Sequence, residues 1–425
     1  MFVAEVVSVE EFHSLMMRFV PPLPGGRFAL AVSGGPDSMA LAALAKQWCE
    51  SHKLPLPKAL IVDHALRSES ADEAVEVQQR LEKLGLEAAI LRWEHAPLTS
   101  RMHSEARKAR YRLLVEACRK DGFACLLVAH QREDQAETVL MRFAKGTGID
   151  GLAGIPACGV IDGVRILRPL LSVPKARLVA VCEAARVSYV TDPSNEKAIF
   201  ARGRLRRVLP LLEEEGLTVD RLVDFAVRAG EAREALDYYT SGFLKEFCEV
   251  SAYGAVSFVT EGLLKIPRAV ALRALSRALQ FVHAEDYPPQ HASLSYVFDA
   301  LAGTEMPMRT LHGCTITQNQ KQILIAREFA AIMEETKIRS GETVVWDGRW
   351  QVALAAATGV ETYTVKALGN PPHDELDRLS PRLRACVPQG RVRSGLPAIW
   401  SDNKIVFVPF FCPQEIAQAS LLSTI

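Results

Sequence analysis

The stretch Arg27-Phe-Ala-Leu-Ala-Val-Ser-Gly-Gly-Pro-Asp-Ser38 constrains this chain more than any other. Phe28 to Val32 is a short apolar run of strand composition. Ser33-Gly34-Gly35-Pro36-Asp37-Ser38 breaks it, and from Met39 to Cys49 apolar residues return at helical spacing. A strand, a glycine turn and a helix start point backbone N–H groups at an anion. Gly34 and Gly35 lack a Cβ, so a phosphate can approach the backbone closely. Pro36 suits a first helical position, where its missing N–H would be unpaired anyway. Ser33 and Ser38 add hydroxyl donors. Asp37 is out of place beside a phosphate unless a magnesium ion lies between them. The motif is neither GxxxxGK[ST], since no Lys follows the second glycine, nor GxGxxG.

The 425 residues predict two or three domains, and 49% hydrophobic with 24% charged residues is ordinary for a soluble globular chain. No apolar run reaches the roughly 18–20 residues that cross a bilayer, so no membrane association is expected. The start, MFVAEVVSVEEF, carries acids and lacks the basic segment of a secretory signal. Nine cysteines without CxxC spacing read as buried thiols in a reducing, cytoplasmic setting. The net charge of zero means that a nucleic acid would have to bind through local basic patches.

Along the chain, Val9 to Phe19 predicts a short helix ended by the cluster Pro21–Gly26. Lys58 to Asp63-His64 predicts a buried strand with polar residues at its carboxyl end, where open parallel sheets carry their ligand crevice. Ser70 to Leu84 reads as an amphipathic helix capped by Ser68 or Ser70. Glu87–Arg92 and Ala124–Ala129 read as strands, and Ser104–Lys120 as an arginine-rich helix. This alternation predicts an α/β fold, a doubly wound parallel sheet, over residues 1–215. The glycine-rich stretch Lys145 to Pro156 is either a second phosphate cradle or a mobile connection. Val164–Leu167 is a further strand, and Ser172–Ala185 a helix with Pro174 in its first turn. Residues 216–335 read as a mostly helical middle domain, led by the long pattern Val219–Val250. It also holds a hairpin, Thr310–Gln318 against Gln322–Arg327. Residues 336–425 read as a small strand-rich α+β domain.

Four constellations carry candidate chemistry. Asp63 and His64 stand at a strand end beside the glycine loop, either meeting a purine or ribose or simply ending the strand. His130, Glu133, Asp134 and Glu137 share one helix face by their spacing. Three carboxylates crowded there repel unless a cation neutralises them. Magnesium beside a nucleotide or a substrate ammonium would do so, and zinc fits less well. A solvated acidic helix start is the bland alternative. Arg107 and Arg110 lie on adjoining turns and suit bidentate phosphate contacts, or else a solvent-facing basic helix. Arg202, Arg204, Arg206 and Arg207 form the densest basic run, following Asp192-Pro-Ser-Asn195. They fit a nucleotide or RNA phosphate, or a charged helix surface.

With these residues in hand, the first 215 residues resemble the tRNA(Ile)-lysidine synthases of the ATP-pyrophosphatase, or PP-loop, superfamily. The motifs in order are SGGPDS with a downstream VDH, the EARxxRY helix, AHxxxDQxET, and RPLL through DPSN to the arginine run. Gly395 to Trp400 and Val406 to Pro409 look like the end of the family's C-terminal domain. The resemblance implies ligation of free L-lysine to carbon 2 of the wobble cytidine in a CAU-anticodon tRNA(Ile). The path is an adenylated cytidine, with ATP leaving pyrophosphate and AMP and with Mg2+ as cofactor. It implies that Ser33, Gly34, Gly35, Pro36, Asp37 and Ser38, with Asp63, His64 and His130, hold the nucleotide, and that Asp37 helps hold magnesium. Asp134 and Glu137 match the family's functional acids, and Arg110 and Arg202 its functional arginines. The domains after residue 215 would bind the tRNA. Two departures stand out: Glu133 replaces the usual Asp, and Gly203 the usual Asn. Rival readings are a tRNA thiolase of the same superfamily, an amide ligase of the GMP- or NAD-synthetase type, and a nucleotide-dependent tRNA-binding protein without turnover. The oligomeric state is left open, with a homodimer as one option.

Overall fold

In the computed structural model the described residues are 4–19, 27–66, 69–95, 102–190, 201–303, 308–356, 362–372, 374, 378, 390–411 and 416–422. The proline–glycine cluster at 21–26 and the segment 192–195 lie outside them. The chain forms two compact units, Met1–Arg233 and Glu234–Ile425.

The first unit is built on six strands: β1 (Ala29–Ala31), β2 (Lys58–Asp63), β3 (Ala88–Arg92), β4 (Cys125–Val128), β5 (Cys158–Ile161) and β6 (Val164–Leu167). Their order is β3-β2-β1-β4-β6-β5, parallel except where β5 runs antiparallel to β6. The helices are α1 (Val9–Met16), α2 (Pro36–Ser51), α3 (Ser70–Lys83), α4 (Met102–Lys120), α5 (Arg132–Phe143), α6 (Ile149–Leu152), α7 (Lys175–Ala184), α8 (Ala201–Glu214) and α9 (Val219–Phe247).

The sheet is covered on both faces, and the strands alternate to suit. Leu30, Ala59, Ile61 and Leu127 join one core with Phe12, Leu41, Trp48, Leu81 and Val181 from the helices. Ala29, Leu60, Leu126 and Ile166 join the other, under Leu114, Val115 and Cys118 of α4. Burial on both faces explains why these strands read as unbroken apolar runs. From β1 the chain winds to β2 and β3 on one side, then crosses to β4 on the other. The carboxyl ends of β1 and β4 therefore flank the topological switch point, where α/β sheets bind ligands.

Local details differ from the sequence expectations. The N-cap of α3 is Glu69, which makes no capping bond, and Ser70 is already helical. Pro174 is itself the N-cap of α7 rather than part of its first turn. The glycine-rich stretch is a strapped connection that uses many of its polar groups internally. Arg142 Nη1 donates to the carbonyls of Gly151 (2.9 Å) and Gly154 (2.6 Å), and Gln135 bonds both N–H and C=O of Ile155. The N–H groups of Gly151, Leu152, Ala153 and Gly154 close local turns, which leaves them unavailable to an anion.

The second unit starts inside α9. Cys248–Val250 (β7) and Val256–Val259 (β8) follow that helix, with α10 (Thr260–Lys265), α11 (Arg268–His283), α12 (His291–Leu301), β9 (Arg309–Leu311), β10 (Cys314–Gln318) and β11 (Gln322–Arg327). The five strands form an antiparallel sheet, β7-β8-β11-β10-β9. Phe258, Ile316, Ile323 and Ile325 pack there with Leu275, Leu279 and Val282 of α11. The β7–β8 hairpin falls in a stretch whose sequence reads as helical. Gly254, at φ +70°, makes the turn that the long amphipathic pattern upstream obscures.

The expected hairpin over 310–327 is present, with Asn319 Oδ1 accepting the N–H groups of Lys321 and Gln322. Its first arm is broken at His312-Gly313 into β9 and β10. Two small sheets complete the unit. β12 (Thr336–Arg339), β15 (Thr362–Ala367), β16 (Pro397–Ser401) and β17 (Lys404–Phe407) form one, and β13 (Thr343–Trp346), β14 (Trp350–Leu354) and β18 (Ala417–Leu421) the other. Trp346, Trp350, Val352 and Ile399 are at their core.

A buried ion pair joins these parts of the second unit. Arg327 at the end of β11 donates through Nε (3.0 Å) and Nη2 (2.9 Å) to the carboxylate of Asp347, and both side chains are 6% exposed. Asp347→Ala leaves Arg327 buried without its counter-charge. It is expected to destabilise the unit by about 3–5 kcal/mol in denaturant melts of the full chain. A loss below about 1 kcal/mol would mean that the pair behaves as a solvated one.

Candidate active site

The loop between β1 and α2 has the geometry that its residues predict. Gly34 has φ +82°, and a Cβ there would collide with Val77 Cγ2 of α3. Glycine is thus required twice, for the left-handed backbone and for the close approach of α3. Gly35 is the N-cap of α2, and Pro36 its first residue. Ser38 Oγ donates to Gly35 O (3.0 Å) and accepts from Ser33 N (3.2 Å), so one hydroxyl closes the loop on itself. Val190 N–H donates to Gly34 O (2.8 Å), fixing the loop's outer side. The helix start of α2 faces the switch point between β1 and β4 with its dipole positive end.

Asp37 stands in the first turn of α2. Its Oδ1 is buried with no hydrogen-bond partner. Burial, opposed by Lys175 and reinforced by Asp134 and Glu133, raises its pKa to about 6. Arg206 also acts on it, favouring the charged form. Charged side chains from three other helices thus act electrostatically on Asp37 (α2): Glu133 and Asp134 (α5), Lys175 (α7) and Arg206 (α8). A buried, unsatisfied oxygen amid like charges fits a site that takes a hard cation through oxygen ligands.

Each acid of α5 has a defined place. Gln131 caps α5 by accepting from Glu133 N (2.6 Å), and Asp134 Oδ2 accepts from Gln131 N (3.2 Å), completing a capping box. Glu133 reaches to α7 and accepts the N–H of Lys175 through both oxygens (3.0 and 3.2 Å). That contact is its role in the fold: a carboxylate at the start of a neighbouring helix, favoured by the dipole. Glu137 is 1% exposed and is met by Arg206 Nε at 2.5 Å. A core of Ala136, Val139 and Leu140 with Leu209, Leu222, Val223 and Ala226 packs α5, α8 and α9 together and brings that pair into register.

Two further groups lie at the same edge of the sheet. His130, directly after β4, accepts from Arg168 Nε at 3.2 Å through Nδ1, and both are buried. Arg168 also donates to Pro156 O (2.9 Å). At the end of β2, Asp63 Oδ1 accepts from Ala65 N–H (2.9 Å), closing the strand end. His64 is half-buried, with its ring edge-on to Trp93. Burial, then the nearby Arg110, lowers its pKa, so it is neutral near pH 7. Arg110 lies over the Tyr111 ring at 5.4 Å.

Of the residues expected from sequence, the loop, Asp37 and Asp134 are thus brought together. Glu137 sits one helical turn beyond Asp134 with Arg206. Asp63, His64 and Arg110 form a second group. Arg202 lies in the first turn of α8, and its side chain is outside the described residues. Lys175 is the charged member that the sequence reading does not single out, and Arg206 is named there only as part of the basic run. Arg206 is one turn past Arg202 in the same basic run, which is the signal that marks it; Lys175 has no signal short of the fold.

Residues 8–212 match the PP-loop domain family, so the sheet and loop make this a PP-loop domain of the ATP-binding type. The chain is 42% identical over 319 residues to the tRNA(Ile)-lysidine synthase of Methylobacterium nodulans, covering 74% of this chain and 92% of that protein. It is 31% identical over 386 residues to the tRNA(Ile)-lysidine synthase of Wolbachia pipientis wMel, covering 90% and 88%. The same enzyme of Anaplasma marginale is 30% identical over 400 residues, covering 91% and 86%. The chain belongs to the tRNA(Ile)-lysidine synthase family. Among the described residues no helix is long and apolar enough to cross a membrane.

Two outcomes follow from this geometry. Gly34→Ala forces both a left-handed alanine and a clash with Val77, so ATP binding is expected to be lost. Gly34→Ala with Val77→Ala relieves only the clash and should restore folding more than binding; isothermal titration with ATP, beside thermal melts, separates the two. For Asp37, the folded pKa of about 6 lies above the ordinary 3.8. Its ionisation therefore removes stability as the pH rises through that window, and below it the difference vanishes. Asp37→Asn is expected to melt at a higher temperature than wild type above about pH 6 and at the same temperature below about pH 4. Equal melting at about pH 7 would show that the carboxylate is not desolvated.

Proposed function

We propose that this chain ligates free L-lysine to carbon 2 of the wobble cytidine of a CAU-anticodon tRNA(Ile), using ATP. The cytosine O2 attacks the α-phosphate of ATP, and pyrophosphate leaves. The lysine ε-amine then attacks carbon 2, sheds a proton, and AMP departs with the former O2. The observation that carries this reading is the convergence of Asp37, Asp134 and Arg206 on the amide-lined loop, in a chain of this family.

Ser33 to Ser38 hold the phosphates, and His64 and His130 border the nucleotide. The oxygen donors at Asp37, one of them buried and without a partner, suit Mg2+. Bound there, Mg2+ would supply charge neutralisation for the phosphates. Asp134 attracts the lysine ammonium and takes its proton, which a nucleophilic amine must lose near neutral pH. Glu137, paired to Arg206, orients that guanidinium beside the acids. Arg110 and Arg202 stabilise charge developing on the phosphates. Residues 216–335 and 336–425 bind the tRNA body. A cytoplasmic location fits a tRNA substrate.

The thiolase alternative needs a reactive thiolate. Burial pushes Cys49, Cys118 and Cys182 up to about 12, which makes them inert thiols at neutral pH, and Cys158, exposed rather than buried as the sequence reading expects, is the one accessible thiol among the described residues of the first unit.

The deciding experiment is AMP release from ATP by purified protein with CAU-anticodon tRNA(Ile), with lysine supplied or withheld. Release that requires both, with lysidine found by mass analysis of the wobble base, is the expected result. Release that ignores lysine but follows a sulfur donor would move the chain to the thiolase chemistry, and none with any tRNA would leave a binding role. In the same assay Asp37→Ala is expected to abolish AMP formation while leaving tRNA affinity nearly unchanged.

A further inference from the structure

A cluster in the second unit lies outside everything assigned so far. His283 is the last residue of α11, and Glu285 follows it past the left-handed cap Ala284 (φ +58°). His312 forms, with Gly313, the two-residue turn between β9 and β10, at φ +53° and +61°. Helix end and hairpin turn thereby point two imidazoles and a carboxylate at one another. His283 Nδ1 is 3.6 Å and His312 Nε2 3.7 Å from Glu285 Oε2. All three ligand atoms lie within 4.8 Å of one another.

These separations are informative. Both ring nitrogens are buried and neither has a hydrogen-bond partner. The carboxylate is a little too far for hydrogen bonds. It is close to the edge of a coordination tetrahedron, about 3.4 Å for metal–ligand bonds of about 2.0–2.1 Å. The rings meet edge to face, 83° apart with centroids at 4.8 Å, a contact that leaves both buried nitrogens without a hydrogen-bond partner. Arg327 is a charged neighbour of His283. Arg327 itself is neutralised by Asp347, and its Nη1 donates to Gly313 O at 2.7 Å, steadying the turn that carries His312. Glu285 is exposed, so an ion can enter from solvent.

We propose that His283, Glu285 and His312 form a divalent-metal site selective for Zn2+, which clasps the end of α11 to the β9–β10 turn. Two imidazoles with one carboxylate suit zinc and not magnesium or calcium, which take oxygen ligands. The fourth position is left to water. The site belongs to the second unit and uses none of the residues assigned to the nucleotide loop, so its success or failure is independent of the proposed ligation.

The test uses the full chain stripped with chelator and titrated with Zn2+ against a chromophoric indicator, for wild type, His312→Asn and Glu285→Gln. Asparagine is favoured at the left-handed position before glycine in such a turn, so His312→Asn removes the ligand while preserving the hairpin. Wild type is expected to bind one Zn2+ per chain more than His312→Asn, with affinity at that site falling more than about tenfold in Glu285→Gln. Zn2+ should raise the melting temperature of wild type and not of His312→Asn. Co2+ in its place should give the strong visible absorption of a tetrahedral ion, absent from His312→Asn. Equal stoichiometry and affinity in wild type and His312→Asn, or no binding by wild type, would overturn the site.

Discussion

The first unit is organised around an electrostatic constraint: a carboxylate held partly out of water at the start of α2, with two more from α5 facing it. Left alone, Asp37, Glu133 and Asp134 repel, and the rise in the Asp37 pKa registers that repulsion together with burial. The fold answers with cations from two other helices, Lys175 at the start of α7 and Arg206 on α8. Neither removes the demand for positive charge at Asp37. The proposed Mg2+, held by oxygen donors here, would meet that demand. Such local strain is the usual mark of a working site.

The surrounding bonds show how this arrangement is held. Asp134 caps its own helix, and Glu133 caps the next one. Glu137 is buried and would be costly without Arg206, so α8 must dock on α5 for α5 to carry it. The apolar contacts of Leu209 with Ala136 and Val139 supply that docking. The acids proposed for catalysis and the acids that support the fold are thus neighbours on one helix, separated by which partner each finds. Glu133 reaches across to the N–H of Lys175 with both carboxylate oxygens.

The second unit repeats the lesson with a different pair. Arg327 and Asp347 satisfy one another almost out of contact with water, and Arg327 also holds the turn at Gly313. Neither residue belongs to a motif. Their pairing is a matter of where β11 ends and where β13 turns, with β12 between them in the chain.

Local sequence determined much of this protein. Strand β1, the glycine turn and the proline start of α2 follow from adjacent residues, because backbone sterics and apolar runs act over a few positions. The parallel order follows from strand–helix alternation, and the hairpin at Asn319 from its turn residues. The family resemblance was carried by the same short motifs. Tertiary structure alone decided which charges meet. Arg206 opposite Glu137, Lys175 beside Asp37, Arg168 on His130, and His283 facing His312 all join residues tens of positions apart. So, too, the glycine-rich stretch at 145–156 is strapped by Arg142 and Gln135, and the β7–β8 hairpin follows a helix that had masked it. Coulomb and hydrogen-bond partners are set by distance in space, and that distance exists only once the sheet and its helices have packed.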